Sequence, residues 1–302
     1  MGVLIPLALA VALVVCPGCG LEVGKTADWV DADSVGGMLA PDRGGTTRMQ
    51  SLPIGSGDVV RMVSFNVEMG GDPAKLANEI LGNPAIAGAS LFLIQEEENY
   101  PEEGTTRARR LAQQLDLAYV YIPGRVKKTG THGLALLSRF PIDSVEVMSL
   151  PLTSGGQQRI AISADILIGE VRLHIVNVHL ETHINITDRI LHFRPAILEL
   201  PDQVIIAGDV NTNPYLWEDG SVPLVPTAQI VDTDQAPLLD DYMRAQGFET
   251  PAADVGPTER MLGVESRLDA IYTRGLTVSP ATVERTVGGS DHWPLWVDIT
   301  LP

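Results

Sequence analysis

The number of short, strand-like segments is the feature that most constrains the fold. Ten runs of six to ten residues, rich in β-branched and other apolar residues and bounded by turn-forming residues, lie between residues 61 and 300. Helical patterns are fewer and cover about 73–82, 105–117, 187–200 and 236–247, with Pro195 expected to kink the third or delay its start. Because several strands follow one another directly, the pattern predicts mixed or antiparallel sheets with helices outside.

The body of the chain has the size and composition of one domain. The chain has 302 residues and a formal net charge of −17, and we expect residues 58–302 to form a single domain with a large core. So acidic a surface argues against broad electrostatic attraction to nucleic acid. It leaves room for a local basic patch and for a metal site built of carboxylates.

The first 19 residues contain no charged side chain, and their apolar run is short for a membrane span. This pattern predicts a signal peptide and export. Gly18-Cys19-Gly20 resembles the processing site of bacterial lipoproteins, which predicts an extracytoplasmic protein anchored to a membrane through acylated Cys19. Cys16 is the alternative acylation site, and a plain signal peptide of a secreted or periplasmic protein is the other alternative. Residues 20–57 are rich in Gly, Asp, Ser and Thr and predict a flexible linker or loosely packed arm.

Polar side chains accumulate where apolar strands end. Side chains alternate between the two faces of a strand, so His179 shares a face with apolar residues of the run VRLHIVNVH. In VIIAGDVN, Asp209 and Asn211 likewise share a face with Ile205 and Ala207. If the apolar members face the core, the polar members lie at its rim, where a rigid sheet fixes them.

Other strand ends carry similar groups, and the whole set comprises two amides, four carboxylates and two imidazoles. Its members are Asn66, Asn211, Glu96, Asp209, Asp269, Asp291, His179 and His292. The chain has no GxSxG motif, HExxH motif, P-loop or dinucleotide-binding glycine fingerprint. Carboxylate and amide oxygens suit Mg²⁺, Mn²⁺ or Ca²⁺. Together with proton-carrying imidazoles, they predict metal-assisted hydrolysis of a phosphate ester.

Seven segments occur in the order seen in the endonuclease/exonuclease/phosphatase superfamily, which has the deoxyribonuclease-I-like fold. They are SFNVE, LIQEEE, HGLALLSRFPI, VNVHLET, AGDVNTNP, RLDAIY and SDHWPLWVDI. Over residues 58–302 the chain therefore resembles that family. The resemblance implies an α/β (α+β) fold, a four-layer αββα sandwich of two mixed sheets packed face to face with outer helices. It also implies hydrolysis of a phosphodiester or phosphomonoester with a divalent metal.

The resemblance also implies roles for the site residues. Glu96 would be the principal metal ligand, Asn66 would support the metal site and Asp291 would lie near the metal. Asp209 would activate water or transfer a proton, and Asn211 would orient it and the phosphate. His179 would hold the scissile phosphate. His292, paired with Asp269, would do the same.

The substrate stays open on the sequence alone. A nuclease and a phosphodiesterase acting on lipid headgroups or small phosphate esters are both compatible with the motifs, and a catalytically silent binding lipoprotein is a further alternative. The basic residues Arg125, Lys127, Lys128 and His132 are compatible with a solvated loop or with substrate contact. Leu134 stands where many relatives have asparagine after the glycine. We infer no protein partner and expect a monomer.

Overall fold

The computed structural model describes residues 41–45, 54–153, 157–217, 235–261 and 263–302. The strands are β1 (Asp42–Gly44), β2 (Val59–Asn66), β3 (Leu91–Asn99), β4 (Ala118–Lys127), β5 (Gly130–Ser138), β6 (Ile142–Ser149), β7 (Ile160–Ile168), β8 (Val171–His179), β9 (Val204–Asp209), β10 (Glu259–Met261), β11 (Val264–Ser266), β12 (Asp269–Arg274), β13 (Thr277–Val278), β14 (Thr282–Val283) and β15 (Leu295–Thr300). The helices are α1 (Pro73–Gly82), α2 (Arg107–Leu115), α3 (Ile186–Phe193) and α4 (Gln235–Ala245). All ten predicted strands and all four predicted helices are present.

The strands form two large mixed sheets. The first has the order β1-β4-β5-β3-β2-β15-β13, with β14 paired to β15, and β2 and β3 are its parallel pair. The second has the order β12-β9-β8-β7-β6, and β8 and β9 are its parallel pair. Strands β10 and β11 form a separate hairpin. Each sheet thus contains one parallel pair whose carboxyl ends lie at the same edge, and these two edges position the site.

Three apolar clusters show that the sheets are the inner layers of a four-layer sandwich. The central cluster joins one face of each sheet, with Leu93 and Leu136 from the first and Ile162 and Ile175 from the second. A second cluster lies between the other face of the first sheet and helices α1 and α2. A third lies between the second sheet and helices α3 and α4. This arrangement confirms the predicted αββα sandwich.

The helix ends follow from local sequence. Asp72 caps α1 by accepting a hydrogen bond from the backbone N–H of Ala74 (2.9 Å), and Pro73 occupies the first helical position. Pro195 neither kinks the third helix nor delays its start, so that prediction was wrong. Helix α3 ends at Phe193, and Arg194–Ala196 form a 3₁₀ turn. Inside an α-helix a proline would leave a carbonyl without its N–H donor. At the start of a 3₁₀ turn that N–H is not needed, so Pro195 is tolerated there.

Three residues of the predicted arm form a strand. Asp42–Gly44 form an edge strand that pairs antiparallel with β4. The Asp42 carboxylate accepts hydrogen bonds from Thr106 Oγ1 (2.6 Å) and Arg109 (2.8 Å), which attach this segment to the start of α2. Residues 1–40, with both cysteines and the predicted signal peptide, lie outside the described residues. Within the described part of the chain, no helix is long and apolar enough to cross a membrane.

Candidate active site

Three of the predicted site residues stand side by side at one edge of the second sheet. His179 ends β8, Asp209 ends β9 and Asp269 begins β12. Asp209 is paired in register with His179 on one side and with Asp269 on the other. Ile175 and Ala207, an even number of positions earlier on the same strands, belong to the central core. The alternation of faces therefore places these polar side chains at the rim of that core, as the sequence predicts.

The first sheet contributes Asn66 and Glu96 from its parallel pair. Asn66 ends β2 and is paired with Gln95. Glu96 does not end its strand as expected, because β3 continues to Asn99. Glu96 instead occupies a β-bulge, with φ of 58°, a backbone conformation that side-chain-bearing residues seldom adopt. The bulge brings its carboxylate within 3.9 Å of His179 Nε2 on the facing sheet.

Asp209 is the centre of the cluster. Its Oδ2 accepts a hydrogen bond from Asn66 Nδ2 (3.0 Å). The same oxygen lies 3.4 Å from His179 Nε2 and 3.9 Å from His292 Nε2. Burial and the negative charges of Asp269 and Glu96 raise the pKa of Asp209, although the charge of His292 opposes the shift. A carboxyl group with a raised pKa, surrounded by two imidazoles, can accept a proton from water near neutral pH.

His292 is held by a carboxylate. Its Nδ1 lies 2.8 Å from Asp269 Oδ2, which requires Nδ1 to be the donor because an ionised carboxylate only accepts. Asp269 is itself fixed, since its backbone N–H donates to Thr258 Oγ1 (3.0 Å). Burial alone would lower the pKa of His292, but the charges of Asp269, Asp209 and Asp291 outweigh it and hold that pKa well above the usual range. His292 is therefore an imidazolium that can stabilise negative charge or donate a proton.

His179 is held differently. Its Nδ1 lies 3.2 Å from an Arg159 guanidinium nitrogen, which can only donate, so Nδ1 is the acceptor and the ring proton sits on Nε2. Burial and the nearby charge of Arg159 lower the pKa of His179 well below its usual value. Arg159 in turn pairs with buried Glu181 (3.3 Å). His179 is thus a neutral ring whose Nε2 faces Asp209 (3.4 Å) and Glu96 (3.9 Å) in the cleft, as we call the space between the sheet ends that carry Glu96, His179 and Asp209.

Asn211 lies directly beyond Asp209 in a left-handed backbone conformation, with φ of 52°. Its backbone N–H donates to Asp209 Oδ1 (2.8 Å), and its side-chain Nδ2 donates to the carbonyl of Leu180 (3.0 Å). Asparagine tolerates this conformation better than most residues. Asn211 therefore fixes the Asp209 carboxylate, while its own amide ties β9 to the end of β8.

Further carboxylates lie near Glu96 and Asp291, two of the residues predicted to lie at the metal. Burial and the charge of Glu96 raise the pKa of Asp291, and burial together with Asp291 and Glu96 raises that of Glu68. Burial also raises the pKa of Glu259 to about 8. Among the described residues, no three His, Cys, Asp or Glu side chains are close enough together to hold a metal ion as they stand. Mutually repelling oxygen donors nevertheless have the chemistry that a hard divalent cation requires.

The structure thus brings all eight predicted residues to one end of the two sheets, but it differs for the basic segment. Arg125 and Lys127 lie on β4, and His132 is buried on β5, so these residues are not a solvated loop. Lys128 is exposed. Lys127 forms an ion pair with Glu98 (2.5 Å). Every residue of β5 is buried, so extending the predicted strand to Gly130 would have placed His132 in the interior.

Sequence reasoning also missed Arg159 and Glu181. Arg159 directly precedes β7, and the antiparallel pairing of β7 with β8, which the sequence alone does not reveal, places it near His179. The start of β7 therefore lies at the same edge as the end of β8, where His179 stands. Glu181 lies within the quoted motif VNVHLET but was not singled out. Its 1% exposure marks it as a buried partner for Arg159.

A family model described as the endonuclease/exonuclease/phosphatase family matches residues 63–292. No curated protein matches. Among solved structures, an endonuclease/exonuclease/phosphatase from Beutenbergia cavernae is 17% identical with a TM-score of 0.60, covering 80% of this chain and 72% of that one.

Two further structures are similar over their whole length. A humanised Danio rerio TDP2 is 14% identical with a TM-score of 0.57, covering 80% of this chain and 98% of its own. The endonuclease domain of the telomere-specific retrotransposon TRAS1 is 17% identical with a TM-score of 0.52, covering 81% of this chain and 99% of its own. At these identities the structures establish the fold, and the family model spans most of the chain. The chain belongs to the endonuclease/exonuclease/phosphatase family.

Proposed function

We propose that this protein is a divalent-metal-dependent phosphoesterase that hydrolyses a phosphodiester or phosphomonoester by attack of water. The observation that carries the proposal is the convergence of Asn66, His179, Asp209 and the Asp269–His292 pair. Asn66 Nδ2, His179 Nε2 and His292 Nε2 all lie within 3.9 Å of one oxygen of Asp209. Family members are mostly phosphoester hydrolases, and this arrangement supplies the acid, base and oxyanion-stabilising groups that such a reaction needs.

Each group has a role that follows from its protonation. Asp209, with its raised pKa, accepts the proton of the attacking water. The His292 imidazolium, held by Asp269, stabilises the negative charge that develops on the phosphoryl oxygens. His179 donates a neutral Nε2–H to the same phosphoryl group. Asn211 keeps the Asp209 carboxylate in place through its backbone N–H.

Mg²⁺ is the metal we expect, with Mn²⁺ or Ca²⁺ as substitutes. Glu96, Asn66 and Asp291 would hold it, because they present oxygen donors on one side of the cleft. A bound divalent cation offsets negative charge on the phosphoryl and leaving-group oxygens. Burial and, to a smaller extent, repulsion between carboxylates raise the pKa of Asp291 and of Glu68, and a bound cation would relieve that repulsion.

Substrate and location are part of the proposal. The similarity to the TRAS1 endonuclease domain favours a nucleic acid substrate, whereas the net charge of −17 favours small or lipid-derived phosphate esters. We propose an exported, monomeric protein attached to a membrane through acylated Cys19. Expression of the full chain in a bacterium with labelled palmitate tests the anchor: label should be lost in Cys19→Ser and retained in Cys16→Ser. Retention of label in Cys19→Ser would contradict it.

A substrate panel tests the activity. Residues 20–302 would be assayed on plasmid DNA, abasic duplex, sphingomyelin and generic phosphodiesters and monoesters, with Mg²⁺, Mn²⁺, Ca²⁺ or a chelator. We expect metal-dependent turnover of at least one substrate, lowered about 100-fold in Asp209→Asn and in His292→Ala. A catalytically silent binding protein would turn over none of them. Wild-type rates in both variants would equally overturn the proposed site.

A further inference from the structure

A small cavity opens beside His179, and the other residues that line it have no role assigned in the reaction. His132 and Arg159 line it together with His179, and Leu134 and Ile160 form apolar walls. The ring centroids of His132 and His179 are 6.0 Å apart. The cavity has a volume of ≈ 10 Å³, about the room that one water-sized group needs. A single oxygen-bearing group of a ligand bound at His179 would fit it.

His132 presents an unused hydrogen-bond acceptor to this cavity. The residue is 5% exposed, and its Nδ1 lies 3.4 Å from Glu98 Oε1. Lys127 Nζ also contacts Glu98 Oε1 (2.5 Å), and Tyr100 Oη donates to Glu98 Oε2 (2.6 Å). Because Lys127 Nζ only donates, Oε1 is an acceptor, so the His132 proton is on Nδ1 and its Nε2 is the acceptor. Within the described residues, Nε2 has no hydrogen-bond partner, and a buried polar atom without one is costly.

The charged residues around the cavity restrict which chemical group could donate a hydrogen bond to His132 Nε2. Arg125 pairs in register with His132, and Arg159 lines the same cavity. The positive charge of these two guanidinium groups disfavours an ammonium group or a metal ion as the partner of His132 Nε2. An anionic oxygen carries no hydrogen to donate to Nε2. A hydroxyl group meets both conditions, because it donates to His132 and accepts from a guanidinium.

We infer that His132 accepts a hydrogen bond from a hydroxyl group of the substrate, close to the scissile phosphate. The inference rests on the proposed function and narrows it to phosphoesters of hydroxylated compounds. Two chemical sources supply such a group, the ribose of a ribonucleotide and the polyol of a sugar, inositol or glycerol phosphate. A site that accepts a hydrogen bond from a hydroxyl rejects an analogue without one, because the buried acceptor is then left unpaired.

Matched substrate pairs test the inference and separate the two sources. One pair is a ribodinucleotide and its deoxyribose counterpart, and the other is methyl glyceryl phosphate and methyl propyl phosphate. We expect kcat/KM to favour the hydroxylated member of at least one pair by about tenfold, the worth of one well-formed hydrogen bond. Equal rates within both pairs would overturn the inference and would indicate that the cavity holds only a resident water.

Variants at His132 connect the preference to this residue. In His132→Leu we expect the preference to disappear, whereas His132→Gln, whose amide oxygen can accept, keeps part of it. Both should fold, since Glu98 retains Lys127 (2.5 Å) and Tyr100 (2.6 Å) as partners, and thermal unfolding checks this. Unchanged discrimination in a folded His132→Leu would contradict the assignment.

A substrate without hydroxyl groups, bis(p-nitrophenyl) phosphate, distinguishes the two proposals. Wild type and His132→Leu should hydrolyse it at similar rates if His132 acts only in recognition. Turnover of this substrate, with equal rates for the two members of each matched pair, would contradict the hydroxyl inference alone. Absence of turnover on every substrate would contradict the phosphoesterase proposal itself.

Discussion

The buried histidines of this chain differ in the partners of their ring nitrogens. His292 faces Asp269 at 2.8 Å, His179 faces the Arg159 guanidinium at 3.2 Å, and His192 faces the carbonyl of Pro151 at 2.7 Å. Carboxylate, guanidinium and carbonyl partners impose three different protonation patterns on the same side chain. Of these three, only His292 combines a raised pKa with a place in the cleft.

Asp269→Asn tests the partner of His292. The amide preserves shape but removes the charge that holds the imidazolium, so we expect kcat to fall by about 100-fold or more. Steady-state kinetics on whichever substrate turns over measures this. Asp298→Asn is the matched control, because Asp298 pairs with Arg61 on the opposite end of β15. Equal rates for Asp269→Asn and wild type would show that the pairing has no catalytic role.

Strand alternation was sufficient to predict the cleft residues on β8 and β9, because a side chain's face depends only on its position along a strand. The same reasoning could not predict that Glu96 lies in a bulge, since a bulge depends on the pairing of two strands distant in sequence. Nor could it predict that Arg159 holds His179. That contact requires the register of β7 on β8, which the sequence alone does not reveal.

Helix α3 organises the loops behind the site through Arg189. This side chain is fully buried and donates to the carbonyls of Glu181 (2.6 Å), Ile184 (2.7 Å) and Val210 (3.0 Å), and to Gln235 Oε1 (3.1 Å). The first two carbonyls follow β8 and the third follows Asp209. One guanidinium thus joins the loop that follows His179 to the loop that follows Asp209.

Arg189→Met should therefore weaken both stability and activity. Leaving several buried acceptors without a donor should lower the free energy of unfolding by roughly 3 kcal/mol or more. Chemical denaturation measures the loss. Exposed Arg194 follows α3, and Arg194→Met should change stability by less than about 0.5 kcal/mol. Similar small effects for both variants would refute the organising role of Arg189.

Helix α3 also carries a pH-dependent contribution to stability through His192. Burial lowers the pKa of His192 to about 4, from 6.5 in the unfolded chain. A depressed folded-state pKa gives stability that is present above pH 6.5 and is lost as pH falls toward 4, by about 3 kcal/mol at most. Denaturant unfolding at pH 7 and pH 4.5 should show a smaller difference in His192→Gln than in wild type. An identical difference would contradict this assignment.

At the scale of the molecule, the two sheets are joined by a polar link inside an apolar core. Asn177 on β8 accepts from Gln95 Nε2 (2.7 Å) and donates to the carbonyls of Ile94 (2.9 Å) and Ala135 (3.0 Å) on the first sheet. Asn177 lies two positions before His179 on β8 and therefore on the same face of the strand. The link therefore fixes the relative position of the two sheets close to the site.

Asn177→Leu should destabilise the protein by about 2–3 kcal/mol, because Gln95 and two buried carbonyls lose their partner. The combination with Gln95→Leu should cost less than the two single changes together, since both remove the same hydrogen bond. Thermal or denaturant unfolding of the four proteins gives the coupling. Strict additivity would mean that the amides do not act as a pair.

The net charge illustrates what composition can and cannot predict. A value of −17 describes an acidic molecule, yet Arg159 contacts His179 and Arg125 is paired in register with nearby His132. Arg125 lies on β4 of the first sheet and Arg159 directly precedes β7 of the second, so the packing of the two sheets brings these two cations near each other. Local charge at the site therefore follows from topology rather than from composition.

The central claim is that residues from both sheets act on one reacting bond, and a double-mutant cycle tests it most directly. The kcat/KM of wild type, Asp209→Asn, His292→Ala and the double variant would be measured with Mg²⁺ on one hydrolysed phosphodiester. Groups that act as a unit are non-additive, so the double variant should be about as slow as the slower single variant. A double variant slowed by the product of the two single losses, or one as active as wild type, would contradict a single shared centre.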